Sequence, residues 1–195
     1  MTQSDLNSLL EALTSGDDDR AEEAALALGQ LGEAALPALR ELLSSSDIDC
    51  RWWVTRALGE IDSALAIALL IDRCSDPDRD VRACAIYALG TFGEKSADAI
   101  PILLRCLADS SVYIGGLAAD ALARIGSAAT PDLIDLLKKG APPVRSRAAR
   151  ALAQIADPAS IPALIAALED ENPIVEYYAD LALHKLGVGT VLLKV

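Results

Sequence analysis

Aromatic side chains are scarce in this chain: one Phe, two Trp and four Tyr, together 4% of the residues. Ala and Leu supply most of its 52% hydrophobic content, a composition for thin helices packed closely rather than for a β-rich core. Long apolar runs are also missing. The longest, residues 64–71, falls far short of the roughly 20 residues a membrane helix needs. The opening Met-Thr-Gln-Ser-Asp-Leu has neither the basic patch nor the apolar core of a signal peptide, so a cytoplasmic location is expected. Four cysteines, Cys50, Cys74, Cys84 and Cys106, show no C-x-x-C spacing. They read as small reduced hydrophobes, not as zinc ligands or disulfide partners. Excess positive charge is absent too. Seventeen Lys and Arg face 29 Asp and Glu, a net charge of −12, which argues against binding a phosphate backbone. The acidity is uneven: residues 1–50 carry 11 acids and 2 bases, residues 101–150 carry 4 acids and 7 bases.

What the chain does contain is repetition. A leucine recurs at Leu28, Leu58, Leu89, Leu122, Leu152 and Leu183, in steps of 30, 31, 33, 30 and 31 residues. Alanine precedes it every time, at Ala27, Ala57, Ala88, Ala121, Ala151 and Ala182. Three places later stands an apolar residue: Leu31, Ile61, Phe92, Ile125, Ile155 or Leu186. Four places earlier stand Ala24, Val54, Ala85, Ala118, Ala148 and Ala179. Small residues at two slots let helices approach, and larger ones fill the gaps between them.

Each such helix, B, follows another apolar helix, A, over about 4–14, 33–44, 64–74, 97–107, 130–139 and 160–168. Pro37, Pro101, Pro131 and Pro162 fall near the A starts, where proline is tolerated. Asp76 with Pro77 reads as the start of the third B helix, N-cap followed by first helical residue. The expected fold is therefore all-α, an α-solenoid or superhelix of six helix-pair repeats at about 4–32, 33–62, 63–93, 94–126, 127–156 and 157–187. These form one domain over 1–187. An apolar tail, 188–195, is expected to cover the open end of the last repeat.

The segments Asp-Pro-Asp-Arg-Asp-Val-Arg-Ala-Cys-Ala-Ile-Tyr-Ala-Leu-Gly from Asp76, Val-Arg-Ser-Arg-Ala-Ala-Arg-Ala-Leu from Val144 and Ser-Ile-Pro-Ala-Leu-Ile-Ala-Ala-Leu from Ser160 resemble the HEAT-like repeat named for the phycobilisome (PBS) lyases. The resemblance covers 4–187 and implies the solenoid fold. For function it implies several things at once: bilin lyase or isomerase subunits, phycobilisome-degradation factors, or interaction scaffolds. The family's Val-Arg pair stands at Val81-Arg82 and Val144-Arg145, with Cys50-Arg51 as a variant. The resemblance implies a ladder in which this arginine meets a turn aspartate, here Asp49, Asp78 or Asp80. It implies breaks at the first, fourth and sixth repeats, where Ala21, Gly115 and Glu176 replace the arginine.

Little in the chain can carry chemistry. His184 is the sole histidine and reads as a surface residue; no His-Glu pair of the kind that holds iron in HEAT-like hydroxylases is present. Asp76, Asp78 and Asp80 open like a calcium loop, but Val81 and Tyr87 occupy positions that need glycine and glutamate. No catalytic residue, metal site or cofactor is expected. The aromatics, by contrast, all fall in B segments. On a helical wheel Trp52 and Tyr177 share one outward slot, and Arg56, Tyr87, Asp120 and Arg150 share its neighbour. Trp, Tyr and Arg are the types enriched at binding hot spots. These six are the expected contacts for a partner protein on a concave B-helix surface, in a non-catalytic scaffold. An alternative is a bilin lyase-type enzyme, its aromatic stripe stacking a linear tetrapyrrole and Arg56 and Arg150 pairing the propionates. A third reading is self-assembly through the ends. No nucleic-acid or membrane partner is expected.

Overall fold

In a computed structural model, residues 3–188 are described, and the tail expected to act as a cap lies, beyond Val188, outside them. The described residues are helical throughout, with no β-strand among them. Two compact units divide the chain between Phe92 and Gly93. The first holds α1 (Gln3–Leu13), α2 (Asp18–Leu31), α3 (Leu36–Leu42), α4 (Ile48–Leu58), α5 (Ala64–Arg73) and α6 (Arg79–Thr91). The second holds α7 (Ile100–Leu107), α8 (Val112–Ile125), α9 (Thr130–Lys139), α10 (Pro142–Ile155), α11 (Ile161–Ala167) and α12 (Pro173–Lys185). Odd-numbered helices are the A helices of the sequence and even-numbered ones the B helices. Within the first unit α4 packs between α2 and α6; within the second α10 packs between α8 and α12.

The repeat registers become the cores of the two units. All six marker leucines are buried, as are the small residues four places before them. Gly29 and Gly59 work as close-approach positions. A Cβ on Gly29 would stand 2.4 Å from the Cβ of Glu60, and one on Gly59 would stand 3.0 Å from that of Ala88. Gly29→Ala should therefore force α2 and the end of α4 apart. The expected cost is about 1–3 kcal/mol, read as a lower urea midpoint followed by tryptophan fluorescence.

Prolines do sit at the first or second position of α3, α7, α9 and α11, but three of these helices start later than the sequence pattern implies. Short 3-10 turns over Gly32–Ala35, Gly93–Ala99 and Pro158–Ser160 take their place. The slot four residues after each marker leucine takes a positive φ in several repeats. Glycine fills it at Gly126 (φ 88), whereas Ala156 holds φ 51 despite its Cβ, a small store of backbone strain.

The start of α6 differs from the sequence reading. Its N-cap is Asp78, whose side chain accepts from the N–H groups of Asp80 and Val81. Asp76 is buried instead, with its carboxylate turned to arginines. An acid immediately before a proline caps as readily on paper, but a buried guanidinium claims Asp76 first.

Candidate functional site

The arginine ladder exists with other partners than the resemblance implies. Arg51 on α4 donates through Nε (3.0 Å) and Nη2 (3.1 Å) to the two oxygens of Asp76 in the α5–α6 turn. Its Nη1 donates to the carbonyl of Ser45, 2.9 Å away, in its own turn. Arg145 on α10 repeats the geometry, donating through Nε (2.9 Å) and Nη2 (3.0 Å) to Asp170. In both cases the aspartate lies 25 residues downstream, in the turn before the next B helix. Asp49, Asp78 and Asp80 do not serve: Asp78 is spent on capping, Asp80 pairs with exposed Arg79, and Asp49 is exposed in the first turn of α4. The hydrogen bond to Asp76 raises the pKa of Arg51. Burial alone would lift that of Asp76, but Arg51, the Asp78 N–H and Arg73 together hold it below the ordinary carboxylate value.

The fourth repeat is not simply broken. A Cβ on Gly115 would stand 2.3 Å from the guanidinium carbon of Arg147, which belongs to the next B helix, α10. Arg147 fills the space the missing arginine leaves. Its Nη1 donates to the carbonyls of Leu107 and, at 3.1 Å, Asp109, closing the α7–α8 turn much as Arg51 closes its own. In the first repeat hydroxyls do part of this work, Ser15 donating to Ala12 and Thr14 to Leu10.

The expected contact residues divide between the units, Trp52, Arg56 and Tyr87 in the first and Asp120, Arg150 and Tyr177 in the second. In the first unit a groove of about 520 Å³ runs along the ends of α4 and α6, lined by Arg56, Gly59, Glu60, Cys84, Tyr87 and Thr91 among others. Arg56 is its organising charge. It bonds Glu22 on α2 through Nη2 (2.6 Å) and Glu60 through Nη1. Burial opposes the charge of Arg56, yet those carboxylates raise its pKa. Burial pushes the Cys84 thiol up to about 12, so it stands protonated and is no nucleophile at neutral pH. Trp52 is not among the groove's lining residues; half-buried, it packs edge-on against Trp53 with centroids 4.7 Å apart.

In the second unit Arg150 donates through Nη2 to both oxygens of Asp120 (2.6 and 2.8 Å), and Gln154 donates to Asp120 as well (3.0 Å). Beside this pair lies a second groove, of about 410 Å³, walled by Val112, Pro142, Pro143, Ser146, Arg147, Arg150, Asn172, Ile174 and Tyr178. Tyr177 stands beside it, its ring 5.2 Å from that of Tyr178. The groove is largely apolar for a local reason. Two prolines open α10, so its first positions offer no N–H, and the hydroxyl of Ser146 turns back onto their carbonyls. Val112 (80% exposed), Tyr113, Ile174 and Tyr177 present large apolar surface around it.

Of the six expected contacts, Arg150 lines this groove and Tyr177 stands beside it, whereas the sequence reading did not single out Val112, Pro142, Pro143, Ile174 or Tyr178. For all but Tyr178, the sixth residue of α12, a signal was present: apolar residues in the first turns of three B helices, where acids are favoured, although α12 also carries Glu176 there. The first turns of α2 and α6 carry such acids, Asp18, Asp19 and Asp80.

A profile of HEAT repeats matches residues 6–90, 67–142 and 130–192. The chain belongs to the HEAT-repeat family. No curated protein is significantly similar to this HEAT-repeat chain. Among solved structures it is similar to the complex of CpcE and CpcF of phycocyanin lyase from Nostoc sp. PCC7120. There the identity is 23% and the TM-score 0.62, over 77% of this chain and 99% of the other. A designed armadillo repeat protein in complex with the peptide (KR)4 gives 22% identity and a TM-score of 0.57, over 93% and 99% of the chains. An engineered protein gives 24% and 0.55, over 97% and 98%. Likeness at these identities is likeness of fold. Among the described residues no cluster of His, Cys, Asp and Glu could hold a metal ion, and no helix is long and apolar enough to cross a membrane. His184 is exposed and its Nδ1 meets Asp180 on the preceding helical turn.

Proposed function

We propose that this HEAT-repeat chain is a non-catalytic scaffold that holds a partner protein on its B-helix faces. The observation that carries the reading is the apolar groove of the second unit, with Val112, Tyr113, Ile174 and Tyr177 exposed on the B helices that wall it. Large exposed apolar patches of this kind mark interaction surfaces. Trp52, Arg56, Tyr87, Asp120, Arg150 and Tyr177 are its further contacts. The solved neighbours of the fold include one complex with a peptide and one of two different subunits, which is the use proposed here. Four cysteines that form no disulfide among the described residues suit work in a reducing cytoplasm. The tetrapyrrole alternative asks Arg56 and Arg150 to receive propionates, but each already holds a carboxylate of its own chain.

Affinity capture from native cell extract tests the reading, with wild type beside Val112→Asp/Ile174→Asp and Trp52→Ala/Tyr177→Ala. A partner retained by wild type and lost by both variants, with helical circular dichroism unchanged, is the expected result. A partner retained equally by all three moves the site off the B helices. A visible spectrum that shifts and sharpens on adding a bilin to the pure protein would favour the tetrapyrrole reading instead. A solution mass that rises with protein concentration would favour self-assembly.

A further inference from the structure

The groove of the first unit has a chemistry quite unlike that of the second. Arg56 meets Glu60, which lines the groove, and Glu22, which stands beside it outside the lining, through one oxygen each, so two carboxylates share one guanidinium and the trio carries a net charge of −1. The second oxygen of each carboxylate accepts no hydrogen bond among the described residues. Both side chains remain accessible, 42% for Glu22 and 35% for Glu60. In the second unit the corresponding pair is closed: both oxygens of Asp120 are taken by Arg150, and Gln154 adds a third bond.

Three further features add to the negative field. The groove runs along the C-terminal ends of α4 and α6, where Gly59 and Thr91 stand, and helix C-termini carry partial negative charge. Residues 1–92 hold seventeen acids and seven bases, a balance of −10, against twelve and ten, a balance of −2, for residues 93–195. One wall is Tyr87, 56% exposed, whose ring face attracts a cation.

We propose that this groove receives an arginine side chain from an extended basic segment of the partner protein, its guanidinium bridging the outer oxygens of Glu22 and Glu60 against the Tyr87 ring. The proposal rests on the scaffold reading above and names the chemistry of the partner. An anionic ligand is disfavoured because Arg56, the only cation among the groove's described lining residues, is already committed to two carboxylates. Arginine fits better than lysine because a planar fork reaches two carboxylates at once.

The test measures fluorescence anisotropy of a labelled alternating arginine–serine peptide on the full chain at low and physiological salt. The same peptide with citrulline, the neutral isostere of arginine, runs beside it. Glu22→Gln/Glu60→Gln should weaken arginine-peptide binding about tenfold or more. Glu11→Gln/Glu41→Gln removes the same charge from exposed A-helix positions outside the groove's lining and should weaken it less than about twofold at physiological salt, where exposed charges are screened. Tyr87→Leu should weaken it about threefold, and Tyr87→Phe should not. Circular dichroism confirms that each variant is folded. Equal losses for the groove and control variants, equal binding of the citrulline peptide, or no binding at all would overturn the proposal. So would spermidine displacing the peptide at a lower concentration than the peptide itself needs. Capture that still depends on Val112 and Ile174 would then leave the scaffold reading standing, so the two failures are distinguishable.

Discussion

Asp76→Asn will cost the first unit about 3–5 kcal/mol. The Asp76 side chain is 1% exposed and accepts from Arg51, Arg73 and the Asp78 N–H (2.9 Å). Asparagine keeps the shape and one acceptor but removes the charge, leaving the Arg51 guanidinium buried without a counter-ion. Breaking a buried pair from one side has about that cost. It is a large fraction of the roughly 5–15 kcal/mol by which domains are stable. Both tryptophans lie on α4, so urea unfolding followed by fluorescence reports on this unit. Asp80→Asn is the control, because its pair with Arg79 is exposed on both sides and should matter by less than about 1 kcal/mol.

The same pair sets a dependence on acidity. The carboxylate of Asp76 is held below its ordinary value, so the unfolded chain binds its proton more readily than the folded one. The stabilisation is complete above the ordinary carboxylate range, about pH 4, and is lost as pH falls through the lower folded value. The gap between wild type and Asp76→Asn should therefore narrow as pH drops below about 4. A gap that stays constant into acid would mean that the charge of Asp76 is not what stabilises the turn.

The second large effect concerns the displaced arginine. Arg147→Ala should destabilise the second unit by about 2–3 kcal/mol, because the carbonyls of Leu107 and Asp109 lose charge-assisted donors. Gly115→Arg alone should also destabilise, by about 1–3 kcal/mol, since its side chain would enter space that Arg147 already fills. Together the changes should cost less than their sum. The new arginine stands in the register of Arg51 and Arg145 and can reach the same turn. Coupling of at least about 1 kcal/mol in the double-mutant cycle, measured by thermal circular dichroism, is the expected result. Strict additivity would show that the two positions do not compete for one place.

The sequence alone determined the helices, their pairing and their cores. A leucine every 30 to 33 residues with alanine beside it is a local rule, and burial of an apolar stripe needs no long-range information. The arginine partners were decided only by tertiary structure. Asp76, Asp78 and Asp80 are equivalent as residues, and which of them turns inward depends on where a guanidinium from the preceding repeat arrives. The exchange at Gly115 was hidden for the same reason: the side chain that fills its place comes from position 147, in another register and another repeat. The two grooves share that origin. Arg56 and Arg150 occupy the same slot of the repeat, yet one leaves carboxylate oxygens open and the other closes them. The difference lies in what the neighbouring helix supplies, Glu22 from α2 in one case and Asp120 from α8 in the other. A helical repeat specifies its own face, whereas the chemistry of that face is set by the side chains a neighbouring repeat brings against it.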